Sequence, residues 1–438
     1  MINRASRQII LVLATHALAG TSWADNWPQW RGPNGDGVSD ETGLPLKWDE
    51  KTNIVWKCSL ADGASTPVVW GDAIFVTAQD GDALLLVKID KKKGVVAWSR
   101  KVDTAELPSK AQPRGKTGDE RRHQKFHQLH NMASPSPVTD GEVVIAHFGN
   151  GALAAYDFDG KRLWIRNLQK DHGDYTIWWG HANSPVLHKN LVITVCMQDS
   201  LADLGGDKAP SYVIAHDKRT GEMKWKTDRM TPALSEHCDS YTTPLLHKVK
   251  DGMEMIVMGG EQIDAYDPAT GKQLWYLPEV SGNRVITGPT VAGDMLYATQ
   301  GMRGPLLAVK LAGEGKLGKD AIAWKATDTT PDSPSPVVCK DLLFFISDNG
   351  FAHCVDAKTG EEKWKERIAG DFKASPLAAD RRIYFLNLAG KCTVVAAAAT
   401  FEKLAENQLE ADTIASLAVS DGKIYVRGRK ALYCVGVK

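Results

Sequence analysis

The chain has 438 residues, with 53 Lys plus Arg against 53 Asp plus Glu, so its formal net charge is zero. That balance excludes a general nucleic-acid or anionic-membrane binder, which needs a basic excess, and leaves only local charged patches open. The length exceeds one ordinary domain but suits a closed repeat fold that forms a single unit.

Arg4 and Arg7 precede a mostly apolar run, Ile9 to Gly20, and Ser22-Trp23-Ala24 supplies a small-x-small cleavage site. These are the parts of an export signal over residues 1–24, followed by a single domain over 25–438. About a dozen apolar residues are too few to span a bilayer. No Cys stands near the cleavage site for lipid anchoring. The expected location is therefore periplasmic or secreted, with an uncleaved signal anchor as the alternative.

Past this leader, Asn53-Ile-Val-Trp56-Lys57 reads as the last strand of a repeat that lacks its first three. Two phrases then alternate to the C-terminus. The first runs Ser65-Thr-Pro-Val68, Ser136-Pro-Val138, Ser184-Pro-Val186, Thr243-Pro-Leu245, Gly288-Pro-Thr290, Ser335-Pro-Val337 and Ser375-Pro-Leu377, with a degenerate Ala415-Ser-Leu417. Each opens a strand, where the missing N–H of proline costs no ladder bond. A polar turn and an alternating apolar run follow, such as Leu191-Val-Ile-Thr-Val195, the pattern of a hairpin strand. The second phrase is Asp217-Lys-Arg-Thr-Gly-Glu-Met-Lys-Trp225, repeated as Asp267 to Trp275 and Asp356 to Trp364 and more loosely as Asp90 to Trp98 and Asp157 to Trp164. Its Asp can accept from turn amides, its Gly can take a positive φ, and its Trp offers a large apolar face to a neighbouring sheet.

Four short strands per repeat and eight repeats predict an all-β chain: an eight-bladed β-propeller of four-stranded antiparallel blades. The last repeat, Asp412 to Lys438, stops after its third strand, so the lone N-terminal strand is expected to complete the last blade and close the ring. A ring closed in this way is expected to stand as a monomer. The seven cysteines contain no adjacent pair and no Cys-x-x-Cys. Cys354 and Cys434 fall where sibling repeats have Ala155, Ala215 and Ala265. Small buried core residues are the preferred reading over disulfides or reactive thiols.

The Ala-x-Asp-x-x-Thr-Gly-x-x-x-Trp phrase resembles the tryptophan-docking motif of the PQQ-like, or quinoprotein alcohol dehydrogenase-like, family of eight-bladed propellers. The likeness covers essentially the whole mature chain, although Ala321-Ile-Ala-Trp324 follows a longer loop and Phe401-Glu-Lys-Leu404 has lost its Trp. Trp27-Pro-Gln-Trp30-Arg-Gly-Pro-Asn-Gly35 is similar to the start of exported bacterial members. This fold hosts both enzymes and cofactor-free scaffolds. On the enzyme side the resemblance implies a PQQ-dependent dehydrogenase of alcohols or sugars. It would hold pyrroloquinoline quinone with calcium and an Asp base, often under a disulfide of adjacent cysteines. Glu236, Asp239 and Asn183 are the hard oxygen donors available for calcium. Adjacent cysteines and a haem motif are absent from the sequence. The expectation is therefore a non-catalytic binding or scaffold protein without a cofactor, similar to the outer-membrane-protein assembly factor B subunit. Its partner would be a protein, peptide or small-molecule ligand.

In such a ring, the loops leading into each first strand and the turns between second and third strands gather at one mouth. The candidate ligand contacts there are His130, Asn131, Trp179, His181, Asn183, Glu236, His237, Asp239, Tyr241, Arg303, Asn349 and Arg427. The plainer alternative is that they cap strands as solvated polar groups. Residues 103–131 form the longest connection, a polar and basic flap. Its His123-x-x-x-His127-x-x-His130 would place three imidazoles on one helical face, a possible zinc or copper site. A solvated flap accounts for the same residues, and no metal is expected overall.

Overall fold

The computed structural model describes residues 26–102, 126–198, 210–250, 252–280, 282–311 and 313–437. The expected leader and most of the expected flap, including His123, lie outside these residues. Eight antiparallel sheets follow one another along the chain. Blade 1 consists of Val68–Trp70, Ala73–Asp80, Ala83–Asp90 and Val95–Lys101, and blades 2 to 8 open with strands beginning at Val138, Val186, Leu245, Thr290, Val337, Leu377 and Ala418. The first strands of neighbouring blades touch, so they line the central channel and the fourth strands form the rim. Among the described residues no helix is long and apolar enough to cross a membrane.

Blade 8 has three strands of its own. Ile54–Ser59 supplies the fourth by pairing antiparallel with Ala431–Val435, Ser59 opposite Ala431 and Ile54 opposite Val435. The expected ring closure is therefore present, and its Trp56 acts like the Trp of blades 1, 2, 5 and 6.

That action is a clasp. The indole N–H groups of Trp56, Trp98, Trp164, Trp324 and Trp364 donate to the carbonyls of Lys91, Phe158, Lys218, Ala357 and Ala398, each in the following blade, at 2.9–3.1 Å. Two local features set the clasp up. A β-bulge interrupts the pairing of third and fourth strands beside the Trp position in all eight blades, and bulges re-aim the side chains around them. Directly across from Trp stands Ala155, Ala215, Ala265, Ala308, Cys354 or Cys434 in six blades, small side chains that leave room beside the ring, while blade 1 places Lys88 opposite Trp98. The turn aspartates hold the receiving surface. Asp356 accepts from the amides of Thr359 at 2.8 Å and Lys358 at 3.0 Å, and these donors lower its pKa. Trp275 departs from the scheme and donates to Glu254 of its own blade at 2.9 Å. Blade 5 has a long loop between Leu306–Lys310 and Ile322–Ala326 in place of the receiving turn, and Gly315–Lys316 of that loop pairs parallel with Trp275 and Tyr276.

Before closing the ring, the N-terminal segment crosses the channel end opposite the lead-in loops. Trp27 exchanges backbone hydrogen bonds with Val69 of blade 1, and Pro28 accepts from the amide of Thr139 in blade 2. Arg31, only 1 % exposed, donates to Thr290 Oγ1 at 2.9 Å, to Asp36 O at 2.7 Å and to the carbonyl of Pro336. Val38–Ser39 then pairs parallel with Ala378 and Ala379 of blade 7. The segment therefore ties blades 1, 2, 5, 6 and 7 together ahead of the closing strand.

Two predictions follow from the clasp and the closure. Gly221 has φ +69°, and a Cβ there would lie 2.6 Å from the ring of Trp164; Gly293 has φ +60° with nothing within 4 Å. Gly293→Ala should cost about 1 kcal/mol, the left-handed backbone penalty alone. Gly221→Ala should cost about 3 kcal/mol, because the clasp must also shift. Urea titrations compare the two, and equal costs would refute the clasp. Deleting residues 26–60 should abolish the single cooperative melt seen by circular dichroism, whereas an unchanged melt would show that the ring closes without them.

Candidate functional site

The Ser-Pro phrase builds a ring of hydroxyls. Backbone amides of Thr66, Ser136, Ser184, Gly288, Ser335 and Ser375 donate to the hydroxyls of Ser136, Ser184, Thr243, Ser335, Ser375 and Ser416 respectively, at 2.9–3.1 Å. Each bond joins one blade to the next at the channel wall. Position 288, where the hydroxyl is missing, is glycine for a steric reason: a Cβ there would meet the Trp30 ring at 2.7 Å.

Above this ring opens a cavity of about 320 Å³. The residue two positions before each hydroxyl site lines it in every blade: Ala64, Ser134, Ala182, Tyr241, Ile286, Ser333, Lys373 and Ile414. Extended backbone alternates sides, so positions two apart share the channel face. Trp30 lines this cavity and also a void of about 10 Å³ beneath it, so its ring is the partition between them.

Charged and aromatic groups of the mouth are tied to one another. Glu236 accepts from the Trp179 indole N–H at 3.0 Å and from Arg284 Nη1 at 3.2 Å. Asp239 Oδ2 accepts from the Trp178 amide at 2.8 Å and the Tyr241 hydroxyl at 3.0 Å. Burial, with Asp239 alongside, pushes the Tyr241 phenol well above its usual range, so it remains a donor. In blade 6, Asp348 accepts from the amides of Asp332 at 2.8 Å and Ser333 at 2.9 Å, and Lys373 pairs with the same carboxylate. Burial and the nearby Asp348 raise the Asp332 pKa.

Of the residues expected at the mouth, His130, Trp179 and Tyr241 line the cavity, as does His127 of the histidine triplet. His130 bonds Ser134 Oγ through Nδ1 at 3.1 Å and the Trp179 carbonyl through Nε2 at 2.8 Å. Glu236 and Asp239 sit one layer back, holding Trp179 and Tyr241. Asn131 shapes the lead-in turn by accepting from the Ala133 amide at 2.9 Å. Asn183 is buried and donates to Thr242 O at 2.6 Å. His181 is buried and bonds the Val195 carbonyl at 2.9 Å. Arg427 is buried at the seam of blades 8 and 1 and donates to Ala61 O at 2.8 Å. Thr77 and His147 occupy the equivalent strand position and hold the next lead-in loop in the same manner, through Ala133 O and Asn183 O. His237, Arg303 and Asn349 lie outside the cavity lining; His237 pairs with Glu261 at 2.9 Å and Asn349 accepts from Ser347 Oγ at 2.7 Å. The turn of Arg303 braces the mouth through its neighbour, Met302 N–H donating to Arg284 O at 3.1 Å. Sequence reasoning missed Arg284, Lys373 and Trp30 as cavity walls. The two-residue offset from the Ser-Pro phrase was the signal for Lys373.

Behind this wall, the seam between blades 2 and 3 buries three histidines. The His147 and His181 rings lie 4.6 Å apart, Tyr175 stacks on His181 at 4.8 Å, and His216 faces Trp164. Burial lowers the pKa of His181 and of His216 to about 4 and that of His147 well below its ordinary value. The unfolded chain protonates these groups near pH 6.5, while the fold keeps them neutral. Stability is thus complete above pH 6.5 and falls as the pH drops towards 4, by about 1.4 kcal/mol per pH unit for each histidine. Denaturation at pH 7 and pH 5 should show the loss, and His216→Phe should reduce the slope by about one proton.

A family model described as outer membrane protein assembly factor BamB matches residues 38–206, 209–324 and 316–400. No curated protein matches the chain by sequence. Among solved structures, BamB from Moraxella catarrhalis aligns with a TM-score of 0.59 at 15 % identity, over 87 % of this chain and 98 % of that one. Quinohemoprotein alcohol dehydrogenase from Comamonas testosteroni aligns with a TM-score of 0.69 at 14 % identity, over 94 % and 81 %. A europium-containing methanol dehydrogenase aligns with a TM-score of 0.66 at 12 % identity, over 92 % and 89 %. These structural likenesses show a shared propeller fold. The sequence match spans most of the repeats, and the chain belongs to the family of PQQ-like propellers that the BamB model describes.

Proposed function

We propose that this chain is an exported, non-catalytic binding propeller that holds its ligand at the mouth lined by all eight blades. The engagement of the mouth's oxygen donors carries the reading. Glu236 is bound by an indole N–H and a guanidinium, and Asp239 by an amide and a phenol. Asn183, the third donor suited to calcium, is buried against Thr242 and does not line the cavity. Among the described residues, no three His, Cys, Asp or Glu side chains come close enough to hold a metal ion. The seven cysteines are unpaired, so the disulfide ceiling implied for a quinone enzyme has no counterpart. These residues do not fit a quinone with calcium. They do fit a pre-organised receptor, whose side chains are fixed before anything binds.

The export-signal pattern read over residues 1–24 supports a location outside the cytoplasm, and the assembly-factor description of the family accords with a binding role. Adding pyrroloquinoline quinone and calcium to the purified protein should leave its absorbance and melting temperature unchanged, with no dye reduction on alcohols or sugars. Dye reduction that requires both additions would overturn the reading in favour of a dehydrogenase.

A further inference from the structure

The ligand class follows from the donors that the mouth leaves open, and this step rests on the binding reading above. We propose that the cavity takes a sugar acid of one or two rings, with its carboxylate on Arg284 and its hydroxyls on the serine ring. Arg284 is anchored by Nη1 to Glu236, which Trp179 holds in turn. Arg284 lines the cavity, and its Nε and Nη2 make no hydrogen bond among the described residues, which leaves the edge that pairs a carboxylate through two parallel bonds open to a guest. Lys373 adds a second cation, with two of its N–H groups on Asp348 and Ser333 and a third remaining.

The hydroxyls call for more than an anion. Ser136, Ser184, Thr243, Ser375 and Ser416 each accept from a backbone amide, which leaves each O–H proton free to donate. Such a row suits a ligand rich in hydroxyl and ring oxygens, and Asp332 on the wall can accept from hydroxyl protons. Trp30 beneath offers a flat apolar surface to the C–H face of a pyranose. A simple dicarboxylate would leave the hydroxyls and the indole unmatched, and a neutral sugar would leave the Arg284 edge unmatched. The volume, about 320 Å³, limits the guest to one or two rings.

Calorimetry on the full chain with glucuronate, galacturonate, glucose and succinate tests this. At least one uronate should bind about tenfold or more tighter than glucose and succinate. Arg284→Gln should weaken the uronate about ten- to a hundredfold and leave glucose unchanged, and Arg284→Lys should fall between. Melting each variant without ligand checks its fold, and Lys373→Met supplies a second loss of affinity if Arg284→Gln does not fold. Failure of both uronates to bind the wild type, or equal binding of glucuronate and glucose, overturns the sugar-acid assignment. Quinone-dependent dye reduction overturns the binding reading and this assignment with it; silence in both assays overturns the assignment alone.

Discussion

A ring of small sheets has no shared interior to fall back on. Each blade covers its apolar faces with its two neighbours, so a single open seam exposes two faces at once. In this chain the seam between blades 8 and 1 depends on one strand, Ile54–Ser59, and on the segment before it. That segment carries Arg31, a buried guanidinium whose pKa is lowered to about 10 by desolvation yet which stays charged at neutral pH. Burying it is costly, and backbone carbonyls of several blades offset the cost only when the ring is assembled. The cation thus favours the closed ring over any partly opened one.

The clasp and the hydroxyl ring act at opposite radii, and four seams, 1–2, 2–3, 5–6 and 6–7, carry both. At the rim, an indole reaches forward to the following blade; at the channel, an amide donates forward to the following hydroxyl. Blades 4 and 5 meet without either contact, since Trp275 turns back to Glu254 and position 288 has no hydroxyl. Compensation comes from the Gly315–Lys316 strand at the rim and from Trp30 and Arg31 at the channel. The seam with the least regular bonding is therefore the one that the additions to the fold reinforce.

The fold was legible because its determinants are local and repeated: Asp for the turn, Gly for the positive φ, Trp for the clasp, Pro at strand starts. The bulge beside each Trp was not, since pairing offsets leave no composition of their own. The absent fourth strand of blade 8 was readable from a missing phrase, and the small residue opposite Trp from Ala and Cys sharing one column. The mouth was only partly legible. His130, Trp179 and Tyr241 stood out as polar or aromatic residues of the mouth, and so did Arg427, yet burial between blades sends Arg427 to a lead-in carbonyl. Polar identity alone does not distinguish a side chain that faces the channel from one that holds the backbone beside it. Lys373 and Arg284 looked ordinary in sequence, and only their register relative to the Ser-Pro phrase marks them.

That register separates two kinds of information in each repeat. The hydroxyl site and the clasp maintain architecture, while the residue two places earlier lines the cavity in every blade. Read around the ring, those eight places spell Ala, Ser, Ala, Tyr, Ile, Ser, Lys, Ile. Lys373 in blade 7 looks across at Ala182 in blade 3, and Tyr241 in blade 4 at Ile414 in blade 8, so a nearly symmetric scaffold presents a lopsided face. Such a scaffold can change what it recognises one letter at a time, with the frame that bears the letters left intact.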